Sequence, residues 1–406
     1  MIFVGIDWAE AHHDVVAKDS SGVTLVKSRI PEGIEGLRQF HELVAPLVDD
    51  PSDVIVGIET DRSLLVEALI CSGYQVYAIN PYSASRYRDR YVTSGAKSDP
   101  GDASVLAEVV RSDRHMHRKV AGDSEQVEAI KVLARGHQSL IWSRQSQVNK
   151  LRSMLREFYP GALAIFGSDL DTSDALSVFM IAPTPELGRT LSVSKISSAL
   201  RRGGRIRRVD ERAKAIQAAL RAPQLGAPLA VSEACGVIIL SIAKVIAELN
   251  SQIITLEQNM TEYFMKHPDA EIILSMPGLR IVLGARVLGE FGDDPNRYKD
   301  SKSRKNYAGT SPITKASGTK RIVLARYARN KRLADALYLW SFGAIRVSPG
   351  ARGLYDKQRA GGASHNQALR AVANKLVGIL HGCLRTQTPY NENLAWGCEK
   401  ENPSAA

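Results

Sequence analysis

Two apolar runs of the same make constrain this chain more than any other feature: Ile2-Phe3-Val4-Gly5-Ile6 closed by Asp7, and Val54-Ile55-Val56-Gly57-Ile58 closed by Glu59. Short continuous apolar stretches bounded by polar residues read as strands covered on both faces. Between them, residues 13–18 and 23–28 read as two further strands, and Asp19-Ser20-Ser21-Gly22 has the composition of a hairpin turn. A helix over 34–48 precedes the second run. A helix over 63–72, a strand over 75–79 stopped by Asn80-Pro81, and a helix starting at Pro100 follow it. Three strands in meander followed by alternating helix and strand exclude the βαβ opening of a dinucleotide-binding fold.

This element order is that of the α/β ribonuclease H-like fold, and it sets acids at two strand ends. A third site for acids is Ala96-Lys97-Ser98-Asp99-Pro100-Gly101-Asp102. Proline suits the first helical position, which makes Asp99 the N-cap and Asp102 the third helical residue. Acids there stabilise any helix through its free N–H groups and its dipole, so the pair alone says little. Joined to Asp7 and Glu59 it says more. Hard divalent cations take several oxygen ligands, and nucleases of this fold hold two Mg²⁺ ions about 4 Å apart to stabilise the attacking and leaving oxygens of a phosphodiester. Glu10, Asp14 and Asp61 lie close enough in sequence to compete for the same roles.

Charge points the same way. The 406 residues carry a formal charge of +10 with a pI near 9.4, and the excess is clustered. Residues 297–332 hold twelve Lys or Arg against Asp300, and residues 201–221 hold eight against Asp210 and Glu211. Such clusters fit a polyanionic partner, with a solvated basic face as the alternative. Four scattered cysteines exclude a zinc ribbon and suggest a reducing compartment. The apolar start is too short for a signal peptide, and no later run reads as the 18 or so apolar residues of a membrane span, so a cytoplasmic protein without a membrane partner is expected.

With these motifs in place, the chain resembles the DEDD transposases of bacterial insertion sequences, bridge-RNA-guided serine recombinases with a RuvC-like domain. The resemblance rests on Val4-Gly5-Ile6-Asp7, Glu59-Thr60, Asn80-Pro81 and Lys97-Ser98-Asp99-Pro100-Gly101-Asp102, and it extends over most of the chain. Where Ser98 or Pro100 stands the family usually has Thr. The resemblance implies that Asp7, Glu59, Asp99 and Asp102 form the catalytic tetrad and bind Mg²⁺.

The rest of the chain divides accordingly. Residues 1–158 are expected to form the RuvC-like domain, ending in a covering helix over 123–158. Residues 159–232, with Pro183, Pro185, Pro223, Pro228 and the run Arg201-Arg202-Gly203-Gly204-Arg205-Ile206-Arg207-Arg208, read as an inserted basic, irregular segment. In 233–268, Ile239, Ile242, Ile246, Leu249, Ile253, Leu256, Met260 and Tyr263 step by three and four, the seam of a coiled coil. The partner is either the 123–158 helix or, as the family implies, a second protomer. Residues 269–395 read as a mainly α-helical transposase domain opening on Met276-Pro277-Gly278, a hairpin able to offer backbone N–H groups to phosphate, and 396–406 as a tail. Arg280, Lys302, Arg304, Lys305, Lys315, Lys320 and Arg321 are the candidate nucleic-acid contacts.

Within Tyr307–Lys320, Ser317-Gly318 matches the family's nucleophilic serine, with Ser303, Ser311 and Thr319 as competitors if the register shifts. A serine hydroxyl needs a base or metal to activate it, and its own loop holds no acid or histidine. The expected chemistry is attack on DNA to form a phosphoserine link, with a tetrad acid, Asp102 by preference, taking the proton and the tetrad supplied by another protomer. Donor and target DNA, a non-coding bridge RNA, and a homodimer assembling to a tetramer are the implied partners. A junction-resolving nuclease using the tetrad alone, or a non-catalytic nucleic-acid-binding protein, is the alternative.

Overall fold

The computed structural model describes residues 1–61, 63–89, 99–120, 122–317, 320–326 and 329–397. They divide into two compact units, Met1–Gly122 and the chain from Asp123 onward.

The first unit is built on a mixed sheet. Strands β1 (Ile2–Trp8), β2 (His12–Lys18) and β3 (Thr24–Pro31) form the antiparallel meander, and β4 (Val54–Ile58) and β5 (Gln75–Ala78) lie parallel to β1. A short β6 (Arg118–Lys119) closes the order β3-β2-β1-β4-β5-β6. This order is compatible with the expected ribonuclease H-like domain. Alternation along the strands sends Ile2, Val4 and Ile6 with Val54, Val56 and Ile58 to one face, where they meet Phe40 and Val44 of α1 (Ile34–Val44) and Leu65, Val66 and Leu69 of α2 (Leu64–Cys71). The other face carries Phe3 and Ile55 against Val105, Leu106, Val109 and Val110 of α4 (Asp99–Ser112), with Ala84 of α3 (Pro81–Arg88) beside them.

Two glycines set how closely α4 approaches. Gly5 and Gly57 are register partners on β1 and β4, both on the α4 face. A Cβ at residue 5 would overlap the Ala103 carbonyl and the Ala107 amide, and one at residue 57 would lie 2.8 Å from the Leu106 carbonyl oxygen. The helix therefore rests on bare backbone, closer than any side chain allows.

In its described residues the second unit is helical apart from one ribbon. Its frame is an antiparallel pair, α5 (Glu125–Phe158) and α11 (Leu229–Met265): Gln126 at the start of α5 donates to the Tyr263 carbonyl, and Arg144 to Asn250. Ile239, Ile246, Ile253 and Met260 of the expected seam are buried, so α5 of the same chain covers it. The remaining turns of the seam differ from the expectation: Ser232, Gly236, Ala243 and Phe264 are buried, whereas Tyr263 is exposed. α11 is also long and apolar enough to cross a membrane, contrary to the sequence reading. Its buried stripe packs against α5 and the helices between the two.

Residues 159–232 are not irregular. They form α6 (Pro160–Phe166), α7 (Ser173–Ile181), α8 (Pro185–Thr190), α9 (Val193–Arg202) and α10 (Val209–Arg221), whose Phe166, Phe179, Ile196, Leu200 and Ile216 share a core with Leu151 and Leu155 of α5 and Ile239 and Ile246 of α11. Pro160 and Pro185 sit in the first turns of helices, where a missing N–H costs nothing, and Thr172, Thr184 and Ser192 cap α7, α8 and α9 through their hydroxyls. These prolines start helices and do not break them.

At the other end of the pair, Val127, Ile130, Met260 and Phe264 join a core built by α12 (Ala270–Ser275), α13 (Ile281–Phe291), α14 (Ser301–Ala308), α15 (Lys331–Val347), α16 (Pro349–Ala360) and α17 (His365–Thr386), with α18 (Glu392–Trp396) packed at its edge. A two-stranded ribbon, β7 (Ile313–Ser317) and β8 (Lys320–Leu324), interrupts these helices.

Gly5→Val should destabilise the first unit by roughly 3 kcal/mol, because the added methyls force α4 away from the sheet. Urea denaturation followed by circular dichroism reads this directly, and an unchanged midpoint would show that the close approach is not required.

Candidate active site

The four expected acids come together on the α4 face of the sheet. Asp7 and Glu59 stand one step beyond the paired Ile6 and Ile58, and two residues beyond Gly5 and Gly57, so alternation turns both toward α4. Asp99 opens α4 and Asp102 lies one turn along it, buried. Ala96, Lys97 and Ser98 fall outside the described residues. Asp7 reports the convergence: its carboxyl is pushed up to about 6, first by burial and then by the negative charge of Asp102, Glu59, Asp99 and Asp14.

Asp14 belongs to this cluster through the hairpin register, which places it opposite Asp7 across β1 and β2. A carboxylate oxygen of Asp14, one of Asp99 and a ring nitrogen of His12 lie within 4.8 Å of one another, a spacing fit for a metal ion. Counting residues outward from a turn at 9–12 pairs Trp8 with His13 and Asp7 with Asp14, since each step away from the turn pairs one more residue.

Among the described residues, Arg29 and Arg88 answer the acids. Arg29, opposite Asp14 on β3, grips it with Nε at 3.2 Å and Nη2 at 2.8 Å and comes within 3.8 Å of Asp99. Arg88, the last residue of α3, sits 2.6 Å from Asp102. Nothing in the sequence marks either one. The donor set fits a hard divalent cation: the carboxylates offer oxygens from the ends of β1 and β4 and from α4, and their mutual repulsion rewards a cation among them.

In the second unit, Ser317 is the exposed last residue of β7 and pairs with Lys320 of β8. Gly318 and Thr319 lie outside the described residues, as do the side chains of Lys315, Lys320 and Arg321, whose backbone belongs to the ribbon. Ser303 is committed elsewhere, since its amide and hydroxyl both donate to Asp300 at the start of α14. Beside the ribbon a cavity of about 710 Å³ is lined by Lys305, Thr310, Arg370, Asn374 and Lys375 together with Val323 and Leu324 of β8.

Known proteins resemble the chain along both units. A family model described as a transposase matches residues 4–160, and one for transposases of the IS116/IS110/IS902 family matches 270–356. The mini-circle putative transposase for IS117 of Streptomyces coelicolor is 41% identical over 399 residues, covering 97% of this chain and 96% of that protein. The chain belongs to this transposase family. More distant relatives are an uncharacterized 43.6 kDa protein of insertion element IS110 of the same organism, 26% identical over 98% of this chain and 97% of its own length, and an uncharacterized 44.8 kDa protein of IS116 of Streptomyces clavuligerus, 28% identical over 95% and 94%.

The transposase is thus an enzyme acting on DNA, and the structure sorts its expected DNA contacts. Arg280 and Lys302 are exposed, and Lys305 lines the cavity beside the ribbon. Arg304 is a correction. It is buried, with its guanidinium 4.6 Å above the ring of Tyr298 and 5.2 Å above that of Phe291, and so serves the core. The Pro277-Gly278 turn is half-buried: a Cβ on Gly278 would lie 2.5 Å from the Ala344 amide of α15, and Pro277 accepts a hydrogen bond from the Trp340 indole at 2.9 Å.

The raised Asp7 carboxyl makes metal-free stability depend on pH. Its folded pKa lies above the unfolded value, so its contribution is fully present below pH 3.8 and is lost as pH rises through about 6. Thermal melts in EDTA should therefore fall across that window, and Asp7→Asn should flatten the fall and melt higher at pH 7. A variant that keeps the wild-type slope would remove Asp7 from the cluster.

Proposed function

We propose that this transposase cuts and rejoins donor and target DNA through a phosphoserine intermediate on Ser317. Asp7, Glu59, Asp99 and Asp102 would hold Mg²⁺, and a bridge RNA would select the sites. The observation that carries the reading is the electrostatic meeting of four acids from three elements, which a protein that only holds DNA has no reason to keep against a polyanion. Bound there, Mg²⁺ would neutralise charge that builds on a phosphodiester under attack.

The step attributed to the protein is simple in its balance. Ser317 Oγ bonds to phosphorus as the phosphorus bond to a deoxyribose oxygen breaks, the hydroxyl proton passes to a carboxylate, and the released sugar oxygen takes up a proton. The link conserves the phosphodiester energy for rejoining, which hydrolysis would discard. An exposed serine at the tip of a ribbon suits attack on a large substrate, and the Lys305, Arg370 and Lys375 side chains around the neighbouring cavity favour an anionic backbone there. Guidance by RNA would leave the protein to grip shape and backbone. Cytoplasmic residence, with the enzyme at the nucleoid when acting, follows from a DNA substrate.

Assembly as a homodimer, and as a tetramer on DNA, belongs to the same reading. With α5 covering one side of α11, Val231, Ile238 and Val245 recur every seventh residue on another side and are 48%, 48% and 46% exposed. That stripe supports a second copy as its cover.

Ser317→Ala should fold and bind DNA normally, since an exposed hydroxyl contributes little stability, yet lose strand exchange by about a thousandfold or more. A protein–DNA adduct trapped on nicked substrate and mapped by mass spectrometry should carry its phosphate on Ser317; a phosphopeptide elsewhere, or full activity in the variant, refutes the assignment. Ile238→Glu with Val245→Glu should reduce the mass in solution to that of a monomer by light scattering, and an unchanged mass would refute the stripe.

A further inference from the structure

The segment between the two family-matched regions, residues 161–269, contains a surface that the reading above does not use. Helices α9 and α10 are joined by a loop over 203–208 that is built and held. Arg205 is its anchor: Nε donates to both carboxylate oxygens of Asp174 at 3.1 and 2.9 Å, and Nη1 donates to the Arg207 carbonyl at 3.1 Å. The Arg205 amide returns to the Leu200 carbonyl, Gly204 adopts φ +91°, and Arg208 itself is left-handed at φ 48°. A non-glycine residue in that conformation is uncommon, and here the anchored loop around it fixes it.

This anchoring turns the remaining side chains outward. Arg207 and Arg208 are exposed on the loop, and Arg201, Arg202 and Lys195 are exposed along α9. Ile206 between them is 90% exposed. The acids nearby are Asp210 and Glu211, paired loosely at 3.4 Å to Arg201 and 3.8 Å to Arg208, so five exposed cations outweigh two acids. A β-branched aliphatic side chain at the tip of an arginine loop gains nothing from water. The same side chain is suited to wedging between base steps from the minor groove while arginines hold the flanking phosphates. Residues 193–221 contain no Phe, Tyr, Trp or His, so the aromatic platforms on which single-stranded nucleic acid and RNA loops commonly stack are missing from this stretch.

We propose that the α9–α10 loop and the exposed face of α9 form a second DNA-contact surface, which binds duplex DNA through its backbone and bends it by inserting Ile206 into the minor groove. The proposal relies on the DNA substrate of the transposase and is independent of how the strand is cut.

Binding of the full-length chain to a 30-base-pair duplex (a length of about 100 Å) by fluorescence anisotropy across a salt series tests it, with an RNA hairpin as the comparison. R207A/R208A should weaken duplex binding by about tenfold and lower the slope of log affinity against log salt by about two, one for each phosphate that no longer meets a cation. K195A, on the body of α9 and outside the loop's hydrogen bonds, should lower that slope by about one and so guards against a folding defect in the double variant. I206A should leave the slope unchanged and abolish the approach of the duplex ends read by energy transfer between terminal dyes. Unchanged slopes in both charge variants, or weakening seen with the RNA hairpin and not with the duplex, would overturn the proposal. Because no strand is cut, a failure here leaves the Ser317 chemistry standing, and a missing phosphoserine adduct leaves this surface standing.

Discussion

The first unit depends on the packing of α4 against the bare backbone at Gly5 and Gly57. Burying the apolar side of α4 against Phe3 and Ile55 supplies the attraction, and the glycines determine how deep the helix settles. Its first turn then lies against the two strand ends, and carboxylates that repel one another are held together by packing on which they have no influence. The charge of Asp7 reflects the cost. Arg29 and Arg88 offset part of it from β3 and α3, elements otherwise remote from the acids in sequence.

Most of this site is legible in the sequence because two simple rules act together. An apolar run closed by an acid marks a strand end, and the period of two places Asp7 with Gly5 and Glu59 with Gly57 on one side of the sheet. Asp14 and the two arginines need more than that. Asp14 requires the hairpin register, and Arg88 requires knowing which face of α3 turns to α4. Electrostatic partners are chosen by tertiary geometry, on which a sequence places few marks.

Elsewhere the differences between sequence and structure share a cause. Prolines read as breaks although Pro160 and Pro185 stand in first turns, so the sequence hides five helices between α5 and α11. Arg304 passes for a DNA contact because a basic cluster hides which member is capped by aromatic rings, here those of Tyr298 and Phe291. The apolar period of α11 is real, but a seam does not name its partner; α5 of the same chain takes one side of it. In each case the local signal is sound, and the packing partner decides what it means.

The α5–α11 pair also works as a measure of length. Its 34-residue helix α5 is about 50 Å long, with the core of the inserted helices at one end and the core of the C-terminal helices at the other. A straight duplex lying along it would cover that span in about fifteen base pairs. A rod of two packed helices is stiff, so whatever nucleic acid touches both ends must match its span or curve to do so. The separation between contacts made at its two ends is then a property of the protein's own skeleton, independent of the bases in between.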